Sequence, residues 1–231
     1  LLNLLRPRAG SVRVFGLDER RGVYEIPRRA VAHSFNYQTF LAKKPANGFR
    51  SFTIGGSAAY GFPWGAEAAF THLLEEALQT SWPGKKVEAV NAAAMSYGSH
   101  RLRILTNELL RYQPDVLIFY EGHNEFIERR FYRDVLERHQ ELDALRQVAY
   151  RWRLYSLLTR LYERTLGKAR AADGKNAQLL GLDVIREDVK DIGDAERREV
   201  LRRFEENLRA IVDTASRAGV RVVLCTVPSN V

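Results

Sequence analysis

A serine that follows two glycines is the first feature of this sequence that could do chemistry. Ser57 stands directly after Gly55 and Gly56, which follow a short strand candidate at 49–54 with Phe52 and Ile54 on one face. Two glycines let the backbone turn sharply from a strand into a helix, which would leave the serine hydroxyl at a crevice as a candidate nucleophile. The alternative is a turn that binds phosphate or is purely structural. The spacing matches neither the P-loop nor the dinucleotide-binding glycine pattern.

An asparagine stands in a comparable position further along the chain. Asn124 belongs to Glu-Gly-His-Asn-Glu, residues 121–125, which follow the apolar run 116–120. A carboxamide can donate a hydrogen bond to a developing oxyanion without titrating. The alternative is that Asn124 caps a helix that begins at Phe126.

A run of small residues lies between these two segments. Residues 91–99 read Asn-Ala-Ala-Ala-Met-Ser-Tyr-Gly-Ser, with Ser96 near the middle. Small side chains allow the backbone to approach a neighbouring group closely, and a backbone N–H is a donor whatever side chain it carries. The segment could therefore supply a second donor to the same crevice.

The elements that would position these residues follow from hydrophobic periodicity. Apolar runs and helical spacing predict strands at 49–54, 87–90, 116–120 and 220–227, and helices at 66–80, 99–112 and 195–218. This alternation is typical of an α/β fold, here a three-layer αβα, flavodoxin-like parallel sheet with a helical insert after the third strand. Ligands of such sheets bind beyond the carboxyl ends of the strands. Ser57, Ser96 and Asn124 all follow predicted strands there.

The chain is predicted to contain three parts: an irregular N-terminal segment at 1–48, an α/β domain at 49–231, and a helical insert at 126–194 inside that domain. The insert mixes arginine with tyrosine and tryptophan. We interpret it as a helical cap whose arginine stems cover apolar surface. The alternative is a lid that faces an acyl chain or a membrane, with 126–170 making the membrane contact.

Taken in order and in context, the three segments resemble the SGNH (GDSL-type) hydrolase superfamily. Gly-Gly-Ser at Ser57 corresponds to its nucleophile block, and Gly-His-Asn-Glu at Asn124 corresponds to its Gly-x-Asn-Asp block. The segment around Ser96 corresponds to the block whose glycine N–H joins the oxyanion hole. The resemblance covers 49–125 closely and 195–231 as a general pattern.

This sequence departs from the superfamily at three positions: Gly56 replaces an aspartate, Ser96 replaces a glycine, and Glu125 replaces an aspartate. The superfamily's Asp-x-x-His block is expected after a later strand, beyond residue 231. Residues 1–231 alone are therefore expected to be nearly inactive. His100 or His123 acting as the base is the alternative.

The resemblance implies ester hydrolysis through an acyl-enzyme. Ser57 would attack the carbonyl carbon, and the backbone N–H groups of Ser57 and Ser96 would hold the oxyanion together with the Asn124 amide. The substrate would be a small-molecule, carbohydrate or lipid ester. Acyl transfer to a carbohydrate hydroxyl is the related alternative, because both reactions share the acyl-enzyme. A non-catalytic binding domain that keeps the fold, and a nucleotide-binding module at the glycine turn, are alternatives from other classes.

Composition and charge narrow the range of partners. Lys and Arg number 36 against 28 Asp and Glu, a net charge of +8. A basic balance permits contact with anions, but the sequence contains no zinc-finger spacing and no block rich in Lys and Arg. No nucleic-acid partner is therefore expected. No cofactor is expected, and no metal, because no His-x-x-x-His pattern or carboxylate triad accompanies the histidines.

The compartment is left open by the sequence. The single cysteine, Cys225, cannot form an internal disulfide and is predicted to be a buried thiol. No run approaches about 18 uninterrupted apolar residues, so no complete transmembrane helix is expected. The chain begins with Leu1 rather than methionine. An extracytoplasmic location, with an anchor upstream of Leu1, is the expectation that follows.

Overall fold

The structure is a computed structural model that describes residues 13–31, 34–126 and 192–227. Almost all of the predicted helical insert at 126–194, and with it the membrane contact predicted for 126–170, lies outside the described residues.

Contacts divide the chain into two units. One unit comprises Arg13–Glu128 and Arg197–Val231, and it contains every described element except the first three residues of the last helix. The other comprises Leu1–Val12 and Arg129–Glu196, of which only residues 192–196 are described.

The described elements alternate between strands and helices from residue 48 onward. In chain order they are β1 (Gly16–Asp18), β2 (Val23–Glu25), α1 (Arg28–Val31), β3 (Thr39–Leu41), β4 (Gly48–Gly55), α2 (Ser57–Tyr60), a 3-10 turn (Ala66–Ala68), α3 (Phe70–Ser81), β5 (Lys86–Asn91), α4 (Ser99–Leu109), a second 3-10 turn (Leu110–Tyr112), β6 (Val116–Tyr120), α5 (Asp194–Arg217) and β7 (Arg221–Leu224).

A four-stranded parallel sheet forms the centre of the unit, in the order β5-β4-β6-β7. Its central strand β4 pairs with β5 and β6, so that Thr53 lies opposite Asn91 and Gly55 lies opposite Tyr120. The carboxyl ends of three strands therefore meet at one edge. The predicted α/β fold and its parallel sheet are confirmed.

Helices cover both faces of this sheet. Phe52 and Ile54 of β4 belong to the apolar core that includes Leu102 of α4 and Ile211 of α5. Side chains alternate between faces along a strand, so Thr53 lies on the opposite face. On that face α3 packs against the sheet. The result is the predicted three-layer arrangement.

The N-terminal segment differs from the prediction. Within the described residues it is not irregular: β1, β2 and β3 form a three-stranded antiparallel sheet. Phe15 and Phe40 from this segment pack edge-on against Phe52 of β4, with ring centroids 6.1 and 5.2 Å away. Strands of three residues are too short to show a two-residue alternation in the sequence, which is why the pattern was not visible.

The fourth strand of the parallel sheet is shorter and more exposed than predicted. β7 spans four residues rather than the whole of 220–227, and Val223 and Leu224 are about half exposed. Cys225 is only half-buried, so the prediction of a buried thiol is wrong. β7 is the edge strand of the described sheet, where only one side is paired.

Helix boundaries follow local backbone chemistry. The predicted helix 99–112 ends as α-helix at Leu109 and tightens into a 3-10 turn, after which Gln113 adopts φ 55°. Gly219, at φ 73°, follows the end of α5, where the left-handed conformation favours glycine. Ile104 and Leu201 are exposed on their helices, at 58% and 51%. No described helix combines the length and apolarity needed to cross a membrane.

Candidate functional site

The turn between β4 and α2 places Ser57 beyond the carboxyl end of the central strand. Gly55 must be glycine, because a Cβ there would lie 2.1 Å from the carbonyl oxygen of Tyr120. Ser57 is half-buried and opens α2. Within the described residues, neither its hydroxyl nor its backbone N–H makes a hydrogen bond. Both groups are therefore available to a ligand.

The turn after β5 brings Ser96 to the same edge of the sheet. The N–H of Ala94 donates to the carbonyl of Gly55 at 3.0 Å, which ties this turn to the end of β4. Ser96 adopts φ 59°, in the left-handed region that favours glycine. The guanidinium of Arg101 donates to the Ser96 carbonyl and stacks over the ring of Tyr97, 4.2 Å from its centroid.

The Ser96 backbone N–H remains a possible donor. Among the described contacts it donates no hydrogen bond, and the residue is half-buried. Residues other than glycine rarely adopt this left-handed conformation. The bond from Arg101 to the Ser96 carbonyl helps to hold the backbone in it.

Asn124 lies buried in the turn after β6, and its orientation is fixed by two acceptors. Its side-chain nitrogen donates to the Tyr97 carbonyl at 2.8 Å and to the Glu121 carboxylate at 3.3 Å. Because both neighbours accept, the nitrogen rather than the oxygen must face them.

Glu121 was passed over by the sequence analysis, although it begins the same turn. Its Oε1 accepts from the backbone N–H groups of Gly122 at 2.9 Å and Asn124 at 2.8 Å. Its side chain is 6% exposed. The signal that could have identified it was an acidic residue placed directly after a buried apolar strand, where burial without partners would be costly.

Gly56, in the turn after β4, lies against the turn after β6. A Cβ on Gly56 would lie 2.1 Å from the side-chain nitrogen of Asn124 and 2.2 Å from Oε2 of Glu121. The residue immediately before Ser57 is therefore packed against the amide and the carboxylate of the β6 turn. The segments that follow β4, β5 and β6 come together here.

Glu125 and Ser99 join the β6 turn to the start of α4. The carboxylate of Glu125 accepts from the backbone N–H of Ser99 at 2.6 Å and from its hydroxyl at 2.8 Å. Asn207 of α5 donates to the same hydroxyl at 3.0 Å. The turn that carries Asn124 is thus held by neighbours on two helices.

Three histidines are described: His72, His100 and His123. Among the described contacts, none of them is hydrogen-bonded to the Ser57 hydroxyl. His123 is exposed, and Nε2 of His72 lies 3.3 Å from Glu67 and 3.5 Å from Glu76. In the part of the chain that is described, no group of three or more His, Cys, Asp or Glu side chains could hold a metal ion.

A cavity of about 640 Å³ lies elsewhere, in the N-terminal segment. It is lined by Arg21, Glu25, Ile26, Arg28, Val31 and Tyr37. Three of its polar groups are engaged with each other: Arg21 and Tyr37 both donate to Glu25, at 2.8 and 2.9 Å. Since the strand-end residues combine unengaged donors with a candidate nucleophile and this cavity does not, we place the candidate site at the strand ends.

Comparisons with known proteins add a distant structural likeness. No family model matches the sequence, and no curated protein matches it. The chain is similar to a solved structure described as an acetyl xylan esterase, AlAXEase, with 15% identity and a TM-score of 0.41. The match covers 77% of this chain but only 58% of that one, less than two thirds of its length. The function proposed below rests on the contacts of the site.

Proposed function

We propose that this chain is the core of an SGNH-type ester hydrolase with Ser57 as its nucleophile. In the first step the Ser57 oxygen bonds to the acyl carbon while its proton passes to a base, and the alcohol leaves with a proton. In the second step water attacks the acyl-enzyme and releases the acid and the free serine. The acyl group would be an acetyl or a longer acyl on a small molecule, a carbohydrate or a lipid.

The observation that carries the proposal is the set of donors around the end of β4. The backbone N–H groups of Ser57 and Ser96 are unengaged among the described residues. The Asn124 nitrogen keeps one short bond, to Tyr97, and one long bond of 3.3 Å, so that its second hydrogen is weakly held. Two backbone donors and one amide are the kind of set that stabilises the oxyanion of acyl transfer.

The departures from the superfamily pattern fit the same proposal. Ser96 adopts the left-handed backbone conformation that glycine adopts readily, so its backbone N–H can serve as the donor that the superfamily's glycine provides. At residue 56, glycine leaves room for Glu121 and Asn124. Glu125 uses its carboxylate on Ser99, outside the crevice.

The general base is taken from residues outside the described ones, since no described hydrogen bond joins Ser57 to a histidine. A base contributes about 10²–10⁴ in rate, so the proposal needs one. Transfer of the acyl group to a carbohydrate hydroxyl would use the same serine and the same donors.

A non-catalytic binding domain is a second candidate, favoured by one observation. Both hydrogens of the Asn124 amide have acceptors in this structure, the Tyr97 carbonyl and the Glu121 carboxylate. In a binding domain these bonds would persist and Ser57 would have no kinetic role.

Hydrolysis of p-nitrophenyl acetate by the protein as its gene encodes it separates these candidates. Ser57→Ala should abolish turnover, whereas Ser81→Ala should not, because Ser81 lies on the exposed surface of α3 and bonds only within its helix. Equal turnover by wild type and Ser57→Ala, with both proteins folded, would favour the binding domain. Addition of a sugar acceptor, with acylated sugar as the product, identifies transfer.

A further inference from the structure

We propose that Glu121 is a positioning residue that fixes the orientation of the Asn124 amide at the candidate site. The inference rests on the proposed function and deepens it, since Glu121 would act on the reaction only through Asn124. The carboxylate lies beside Gly56, the residue that precedes Ser57, and within hydrogen-bond distance of Asn124.

Three donors converge on the two carboxylate oxygens of Glu121. Oε1 accepts from the backbone N–H groups of Gly122 and Asn124, at 2.9 and 2.8 Å, and Oε2 accepts from the Asn124 side-chain nitrogen at 3.3 Å. The same side chain therefore closes the turn and orients the amide that the turn carries. Neither contact depends on solvent, because Glu121 and Asn124 are 6% and 7% exposed.

Only a side chain that accepts with both ends satisfies these partners. A glutamine at 121 has nearly the same shape, but one of its ends is an NH₂ group. If that end faced Asn124, two donors would meet, and if it faced the turn, it would oppose the N–H groups of Gly122 and Asn124. Either way a buried donor loses its acceptor, which destabilises the turn as it is now folded.

The glycine at 56 is the counterpart of this arrangement. Even a methyl group on residue 56 would overlap both the Glu121 carboxylate and the Asn124 amide, at 2.2 and 2.1 Å. Both atoms are ends of side chains, so they would have to move together. The space that a side chain at residue 56 would occupy, next to Ser57, is thus taken by Glu121 and Asn124 from the turn after β6.

A buried glutamate elsewhere in the chain provides a matched control. The carboxylate of Glu108 also accepts three hydrogen bonds, from the backbone N–H groups of Val14 and Phe15 and from the hydroxyl of Tyr112. Its partners belong to the N-terminal segment and the 3-10 turn after α4. Glu108→Gln removes comparable bonds without touching the candidate site.

The test compares Glu121→Gln with Glu108→Gln in the protein as its gene encodes it, with p-nitrophenyl acetate as the probe substrate. Glu121→Gln should lower kcat by about tenfold or more and leave KM within about twofold. The loss in kcat should be smaller than the factor of about 10²–10³ that is typical when the oxyanion donor itself is removed. Glu108→Gln should lower the melting temperature and leave kcat near the wild-type value. The paired side-chain N–H signals of Asn124, followed by NMR, should shift in Glu121→Gln and not in Glu108→Gln.

The outcomes separate this inference from the proposed function. Unchanged kcat and unchanged Asn124 signals in Glu121→Gln would overturn the positioning role, even if Ser57→Ala abolishes turnover. Loss of kcat in both glutamine variants, in proportion to their melting temperatures, would also overturn it, since general destabilisation would then explain both. If Ser57→Ala keeps full turnover, the proposed function fails, and the Asn124 signals alone then decide whether Glu121 orients the amide.

Discussion

The side-chain nitrogen of Asn124 lies 2.8 Å from the carbonyl oxygen of Tyr97, and this bond joins the turn after β6 to the turn after β5. Tyr97 directly follows Ser96, so this bond links two of the proposed oxyanion donors, the Ser96 backbone N–H and the Asn124 amide. Arg101 holds the other side of the same turn through the Ser96 carbonyl. The relative position of these donors is therefore set by direct contacts between the turns.

Replacement of Asn124 by alanine should lower kcat far more than it raises KM. The amide would bind an oxyanion that exists only in the transition state, and one such donor is typically worth about 10²–10³ in kcat. Steady-state kinetics and melting temperature, measured on one sample, check this. A variant that melts lower but keeps wild-type kcat would assign Asn124 a structural role only.

The sheet could be predicted from the sequence because β6 is an unbroken apolar run and β4 carries Phe52 and Ile54 at alternate positions. The run 116–120 matches β6 residue for residue, and 49–54 falls inside β4. Buried parallel strands read as unbroken apolar runs, and the helices between them show a clear 3.6-residue period. The three short strands of the N-terminal sheet carry no such signal.

The candidate site could be predicted only in part. Ser57, Ser96 and Asn124 are candidates because each follows a predicted strand and fits a segment of the resemblance. Glu121 was not predicted from the sequence, because what distinguishes it is the three hydrogen-bond donors that surround its carboxylate in the folded chain. No spacing in the sequence encodes that convergence, and the same is true of its overlap with residue 56.

Gly56→Ala should disrupt the site more than a glycine substitution elsewhere. The added methyl would overlap the Asn124 amide and the Glu121 carboxylate, whereas Gly84→Ala adds a methyl with nothing within 4 Å. We expect kcat to fall at least about tenfold in Gly56→Ala, in line with displacement of one oxyanion donor. Gly84→Ala should stay near wild type. Equal kinetics in the two variants would show that the contacts of Gly56 do not matter to the reaction.

Arg50→Met should destabilise the fold strongly. Arg50 is 1% exposed, and it pairs with Glu88 while donating to the carbonyls of Tyr112 and Leu41, each at 2.7 Å. Removal of one partner of a buried pair leaves the other charge uncompensated, at a cost of about 3–5 kcal/mol in unfolding free energy.

Urea titration measures that loss, and Arg209→Met is the control. Arg209 pairs with Glu205 on the exposed surface of α5, where water screens the ion pair and its loss has little effect on stability. Similar urea midpoints for the two variants would contradict the buried role of Arg50.

Stability should fall in alkaline solution through Tyr112. Burial, together with the neighbouring Glu108 carboxylate, raises the pKa of Tyr112 above its ordinary value of 10.0. The unfolded chain then loses this proton at a lower pH than the folded chain, so stability is retained below about pH 10 and declines as pH rises further. Tyr112→Phe should flatten the decline, at the cost of about 1 kcal/mol for the lost bond to Glu108. Identical pH profiles from about pH 9 to 11, measured by thermal melting, would count against it.

The central claim, that Ser57 is an activated nucleophile, is tested most directly by covalent labelling. The protein as its gene encodes it is treated with a fluorophosphonate, which phosphonylates serines that an adjacent base activates, and the adduct is located by peptide mass spectrometry. The account predicts one adduct on the peptide that contains Ser57, absent from Ser57→Ala and present in Ser81→Ala. An adduct on a different serine, or labelling that persists unchanged in Ser57→Ala, would contradict the claim.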